Sequence, residues 1–200
     1  YLDQEKQILY DEQIVPYHHS AERVADPEVE GYNFKGWIGD YSKVVGDTDI
    51  IADLSGRIYN LSFNDGKKAD EVIEVEGTMK GTTVQFGAEY RIPYPEYSRK
   101  GYDFIGWKFE NTIMKNLVPG TKITYDITGS GVLVAQWQLN SYGIQYNVQD
   151  AINENPYEYT VETYIKLQDP IKDGYKFEKW YIKTLDDNEV QGFSMFSLFN

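Results

Sequence analysis

Three copies of one aromatic motif restrict this chain to a tandem array more sharply than any other feature of its sequence. Gly31-Tyr32-Asn33-Phe34-Lys35-Gly36-Trp37, Gly101-Tyr102-Asp103-Phe104-Ile105-Gly106-Trp107 and Gly174-Tyr175-Lys176-Phe177-Glu178-Lys179-Trp180 share the pattern G-Y-x-F-x-x-W. The tryptophans stand 70 and 73 residues apart, and three of the chain's four occupy this one position. Chance would hardly arrange that, and a near-constant period marks a repeated folding unit.

The similarity runs past the motif. Ile50-Ile51-Ala52-Asp53-Leu54 followed by Tyr59-Asn60-Leu61-Ser62-Phe63 matches Leu133-Val134-Ala135-Gln136-Trp137 followed by Tyr142-Gly143-Ile144-Gln145-Tyr146 at a constant offset of 83, which accounts for the fourth tryptophan. Upstream, Asp26-Pro27 before Gly31 matches Asp169-Pro170 before Gly174, while the middle copy has Pro95 and two extra residues. Three units result: residues 1–56, 57–139 and 140–200. The first reads as N-terminally incomplete. The third reads as C-terminally incomplete, because no counterpart of the strand from Leu133 to Trp137 is recognisable before Asn200. The chain begins at Tyr1 rather than Met and is expected to be a piece of something longer.

Within the middle unit, Tyr59, Leu61 and Phe63 alternate with Asn60 and Ser62, the period-2 pattern of a half-buried strand. Asn64-Asp65-Gly66 reads as a turn. Val72, Ile73 and Val75, then Val84 and Phe86, then Tyr90 and Ile92 suggest short strands broken by Gly77, Gly81, Gly87, Pro93 and Pro95. The motif itself alternates, and its second glycine is expected to allow a bulge that turns the indole inward. No run demands a helix; the best candidate for a short one lies at residues 148–153.

Charge and composition remove several classes of function. A net charge of −13 argues against nucleic acid, which needs clustered positive charge, and against an anionic membrane surface. No apolar run approaches the roughly 18 residues that would cross a bilayer, and the first residues lack the pattern of a signal peptide. With no cysteine there is no disulfide, thiolate metal site or Cys nucleophile. Phosphate-loop, nucleophile-elbow and H-E-x-x-H patterns are missing, and carboxylates without such context serve to solvate a surface. No catalytic residue, metal ligand or cofactor site is assigned, and the chain is expected not to be an enzyme.

The joint pattern of an early L-x-F strand (Leu61-Ser62-Phe63), the G-Y-x-F-x-G-W motif and a closing L-x-A-x-W strand (Leu133 to Trp137) resembles the Listeria-Bacteroides repeat family, also called internalin B-repeats. The resemblance covers nearly the whole chain. Lys179 departs from it at the second glycine of the third unit, and Leu54 at the closing tryptophan of the first. It implies an α+β, mainly β fold: tandem ubiquitin-like β-grasp units with at most a short helix each. It also implies a secreted or wall-anchored bacterial protein in which such units act as spacers or interaction modules, and it brings no catalytic residues.

Alternating aromatics in strands are ordinarily core, so Tyr32, Phe34, Trp37, Tyr102, Phe104, Trp107, Trp137, Tyr175, Phe177 and Trp180 are assigned to structure. Tyr90, Tyr94 and Tyr97, beside Pro93 and Pro95, are the candidates for an exposed platform that would recognise a host protein or glycan. His18-His19 lack the spacing of metal ligands. Asp47-Thr48-Asp49 and Asp186-Asp187-Asn188-Glu189 lack a twelve-residue calcium loop. Residues 1–56 carry 4 basic and 12 acidic groups, residues 57–138 carry 10 and 10, and residues 139–200 carry 5 and 10. Surfaces that drift while the motif stays suit a spacer better than a row of identical binding sites. The mixed cations of the middle unit (Lys67, Lys68, Arg91, Arg99, Lys100) are candidates to meet an acidic partner. Short connections at Ser55-Gly56 and Asn140-Ser141 leave little slack between units. The expectation is a monomeric, non-catalytic stalk or adhesion-supporting array on a bacterial cell surface or in a secreted protein, with direct binding to a host protein or glycan through exposed tyrosines or a strand edge as the alternative and a Lys–Asn isopeptide lock as a minor third.

Overall fold

The computed structural model describes residues 9–112, 116–186 and 189–198. Among them every regular element is a strand: β1 (Tyr32–Ile38), β2 (Ile51–Gly56), β3 (Ile58–Asn64), β4 (Val75–Glu76), β5 (Thr82–Gln85), β6 (Glu89–Arg91), β7 (Ser98–Arg99), β8 (Tyr102–Phe109), β9 (Lys122–Thr124), β10 (Gly131–Leu139), β11 (Tyr142–Asn147), β12 (Glu158–Tyr159), β13 (Tyr175–Asp186) and β14 (Glu189–Leu198). This corrects the α+β expectation. At residues 148–153 the chain makes a turn, with Ala151 N donating to Val148 O at 3.0 Å. Gln149 and Asp150 take φ of +46° and +66°, a left-handed conformation that a right-handed helix cannot continue through.

Two four-stranded mixed sheets follow one plan, ordered β5-β3-β10-β8 and β12-β11-β14-β13. In each, the first and last strands of a copy lie together and parallel at the centre, with Leu61 opposite Gly131 and Ile144 opposite Val190. The second strand pairs antiparallel outside the first, Tyr59 opposite Val84 and Tyr142 opposite Tyr159. β1 and β2 form the antiparallel pair that β13 and β14 form in the third copy. β14 thus holds the place of β10, although no closing strand was legible there. Gly192, Ser194 and Phe196 stand in register where Leu133, Ala135 and Trp137 stand, so the backbone ladder recurs without the L-x-A-x-W pattern.

By contacts the chain forms two compact units: Tyr1–Asn64, Thr78–Pro95 and Gly106–Ala135, and Asp65–Gly77, Glu96–Ile105 and Gln136–Asn200. The first has an apolar core in which Leu61, Ile92, Trp107, Phe109, Tyr125 and Leu133 are essentially without exposed surface. Phe63 packs on Trp107 with ring centroids 5.5 Å apart, and Phe109 meets Tyr125 edge-on. In the second, half-buried aromatics carry the packing: Phe104 against Trp137 at 5.7 Å, and Tyr146 and Phe177 against Trp180 at 5.6 and 5.4 Å. Tyr146 stands on Trp180 as Phe63 stands on Trp107. Of the motif aromatics Trp107 is fully buried, while Phe104, Trp137, Phe177 and Trp180 are half-buried and pack on one another.

The glycines of the motif have separate causes. Gly31, Gly101 and Gly174 hold φ of +80°, +73° and +76°. In the first and third copies the next amide closes a four-residue turn, Tyr32 N to Val29 O and Tyr175 N to Lys172 O. Positive φ at the third position of such a turn is the type II geometry that glycine supplies without strain. The expected bulge falls at the second-glycine position: pairing slips between Phe34 and Gly36 in the first copy, and also between Phe177 and Lys179 in the third, where a lysine stands there. In β8 the slip shows in burial: Gly106 and Trp107 are both buried where strict alternation would expose one.

Candidate functional site

The three candidate tyrosines differ in setting. Tyr90 is half-buried in β6, where burial raises its phenol above the ordinary range. Tyr97 is half-buried, and Tyr94 is open at 73% of its surface. Tyr90 and Tyr94 belong to the first unit, Tyr97 to the second.

The other polar candidates are likewise dispersed. The His18 ring stacks on Tyr17 at 4.0 Å, while His19 Nδ1 lies 3.1 Å from Tyr17 O. Asp47 and Asp49 line an open groove of about 610 Å³ with Asp11, Glu12 and apolar neighbours including Leu9 and Ile50. Asp187 and Asn188 of the second acidic stretch lie outside the described residues. No group of three or more His, Asp or Glu suited to a metal occurs among the described residues. Arg99, read as a surface cation, is only 5% exposed: it bonds Glu71 Oε2 at 2.9 Å and its guanidinium covers the Tyr102 ring at 3.9 Å. A buried cation needs such partners because desolvation is costly without them. The Lys68 amide holds the Glu71 carboxyl below its usual value, burial opposes this, and Arg99 adds to the lowering.

The feature that recurs is a contact made by the first two residues of the motif. In the first unit, Arg57 N donates to Gly31 O at 2.8 Å, and Arg57 Nε donates to Tyr32 O at 3.0 Å and to Asn33 Oδ1 at 3.2 Å. The Phe86 ring lies so close over Gly31 that a Cβ there would be 2.6 Å away, and it meets Tyr32 edge-on at 5.1 Å. The Tyr32 hydroxyl reaches Gly87. In the second unit, Asn140 N donates to Gly101 O at 2.9 Å and Asn140 Nδ2 donates to Asp103 Oδ1 at 3.0 Å. Val161 lies over Gly101, 2.2 Å from where a Cβ would stand, and the Tyr102 hydroxyl bonds the Glu162 carboxylate.

Residue by residue, Arg57 answers to Asn140, Asn33 to Asp103, Phe86 to Val161 and Gly87 to Glu162. The glycine and tyrosine belong to one copy and the residues that cover them to the next. Phe86 and Val161 were not identified from sequence, because the position changes from aromatic to β-branched and carries no motif. Its signal is a turn: Ala88 N to Gln85 O and Thr163 N to Thr160 O close the turns these residues open. The same turn closes from His19 N to Pro16 O at 2.9 Å, which gives Tyr17 this position in the first copy.

The tryptophans repeat one bond. Trp107 Nε1 donates to Pro93 O at 2.9 Å and Trp180 Nε1 to Gln168 O at 3.3 Å, each acceptor standing two residues before a proline, Pro95 or Pro170. Trp137 Nε1 donates to Asp65 O at 2.6 Å.

Comparisons with known proteins agree with this repetition. Two proteins of Evansella cellulosilytica are similar. One, named "Putative membrane protein", is 24% identical over 172 residues, covering 80% of this chain and 24% of its own length. The other, named "Putative Gly-rich membrane protein", is 25% identical over 166 residues, covering 78% of this chain and 18% of its own length. The chain thus spans about a quarter or less of these relatives. No solved structure matches it. No helix among the described residues is long and apolar enough to cross a membrane. The model of the Listeria-Bacteroides repeat domain matches residues 3–52, 59–136 and 142–194, and the chain belongs to that family.

Proposed function

We propose that this region is a non-catalytic spacer in a bacterial cell-envelope protein, a stalk or adhesion-supporting array of β-grasp-like repeats exposed outside the cell. The observation that carries the reading is how little chain separates successive copies. A single residue, Arg57, lies between β2 and β3, and two, Asn140 and Ser141, lie between β10 and β11. Connections this short place no long linker between neighbouring repeats and bring their ends within contact distance. The β-grasp assignment is supported by the parallel central pair formed by the first and last strands of a copy. The membrane-protein names of the two relatives support a place in the envelope. The array acts as a monomer and needs no cofactor.

A direct binding role is the second reading, favoured by Tyr94, a large aromatic side chain open to solvent beside Pro93 and Pro95. A screen of the labelled chain against mucins, glycans and extracellular-matrix proteins separates the two. The spacer reading expects no saturable binding from a chain whose tryptophan fluorescence shows it folded. Saturable binding that Tyr94→Ala abolishes would overturn it.

A further inference from the structure

We propose that the glycine and tyrosine of G-Y-x-F-x-x-W form the socket of a joint between consecutive repeats. The first turn residue after the second strand of the following repeat is the plug that fills it. Gly31-Tyr32 takes Phe86, and Gly101-Tyr102 takes Val161. The partner that this surface fits is another repeat of the same kind.

Several independent contacts converge on each socket. The glycine carbonyl accepts the amide of the residue that begins the next copy, Arg57 or Asn140, and the same residue's side chain reaches the third motif position, Asn33 or Asp103. The glycine's bare Cα lets the plug approach to a distance that a Cβ would occupy. The tyrosine then extends across the residue after the plug, Gly87 or Glu162. All four corresponding positions differ in residue type between the joints while the geometry stays, so the contact does not follow from chance identity of side chains. The motif glycine therefore has two duties, supplying the left-handed turn and clearing the socket floor.

The chain carries its own control. Gly174 has nearly the same left-handed φ, +76° against +73° at Gly101, yet among the described residues nothing lies within 4 Å of a Cβ built on it. Tyr17 occupies the plug position and is 69% exposed. A joint of this kind would hold the angle between neighbours and transmit it along an array. That use rests on the spacer reading, while the contact itself does not.

The test is made on the full chain. In ¹⁵N relaxation measurements, amides of the second and third copies are expected to share one rotational correlation time. Val161→Ala should abolish that common value, while Tyr17→Ala leaves it unchanged. Independent tumbling in the unmodified chain, or a common value that survives Val161→Ala, would overturn the joint. In thermal unfolding, Gly101→Ala should lower the midpoint more than Gly174→Ala, because both incur the same backbone strain and only the first collides with a plug. Equal losses would also overturn it. Saturable binding in the ligand screen would remove the spacer reading and leave these outcomes unchanged, so the two failures are distinguishable.

Discussion

The indole N–H of Trp107 donates to the carbonyl of Pro93 at 2.9 Å from a side chain with no exposed surface. The bond links the motif strand to the segment beside β6 and satisfies a polar group that burial would otherwise penalise. The half-buried Trp180 makes the same bond to Gln168 at a longer 3.3 Å.

Replacing Trp107 should therefore cost more than replacing its counterpart. Trp107→Ala is expected to lose about 3–5 kcal/mol through lost burial and the cavity left behind, and Trp180→Ala less. Urea unfolding of the two variants checks the order. Equal losses would mean that burial in this core does not set the cost.

Asn155 offers a polar counterpart in the third copy. It is 3% exposed, donates from Nδ2 to Gln168 O at 2.9 Å and accepts from Gln168 N at 2.6 Å. Asn155→Ala should cost about 1–3 kcal/mol by leaving both backbone groups without this partner. Asn155→Asp, when neutral, keeps the acceptor and one O–H donor in place of the amide's two N–H donors. Unfolding midpoints should rank the natural chain above Asn155→Asp and that above Asn155→Ala at a pH low enough to keep the aspartate neutral.

Gly56 should tolerate nothing larger. A Cβ there would lie 2.0 Å from Phe86 O, a backbone atom that cannot swing aside. Gly46, with nothing among the described residues within 4 Å of its Cβ position, is the control. Gly56→Ala is expected to lower the thermal midpoint clearly, whereas Gly46→Ala leaves it within error.

Glu71 predicts an acid dependence. Its folded pKa is lowered from the ordinary 4.5, first by the Lys68 amide and further by Arg99. A lowered folded value means that the unfolded chain takes up the proton first. The stabilisation is complete above the ordinary value and disappears as pH falls through the folded one. Glu71→Gln should therefore flatten the fall in stability between pH about 6 and about 3 relative to the natural chain. Denaturant midpoints across that range measure it, and unchanged steepness would show that other carboxylates set the slope.

The sequence by itself determined the repeat, the strand-rich character and the place of the aromatics. Each of these depends on local pattern: a turn glycine fixed by φ, and alternation fixed by the pleat that puts the motif's aromatic side chains on the packed face of their strands. It did not reveal the closing strand of the third copy, because Gly192 is placed by backbone pairing to β11 and Ser194 and Phe196 by pairing to β13, which any residue with an amide can make. It suggested a helix at residues 148–153 where left-handed residues form a turn. Arg99 looked like surface charge because its partners, Glu71 and the face of Tyr102, come together only through folding. The contacts of Phe86 and Val161 with the motif glycines were hidden for the same reason. Sequence similarity registers residue types held within a copy, while a contact between copies is set by shape at long range and lets an aromatic ring and a branched aliphatic take one position.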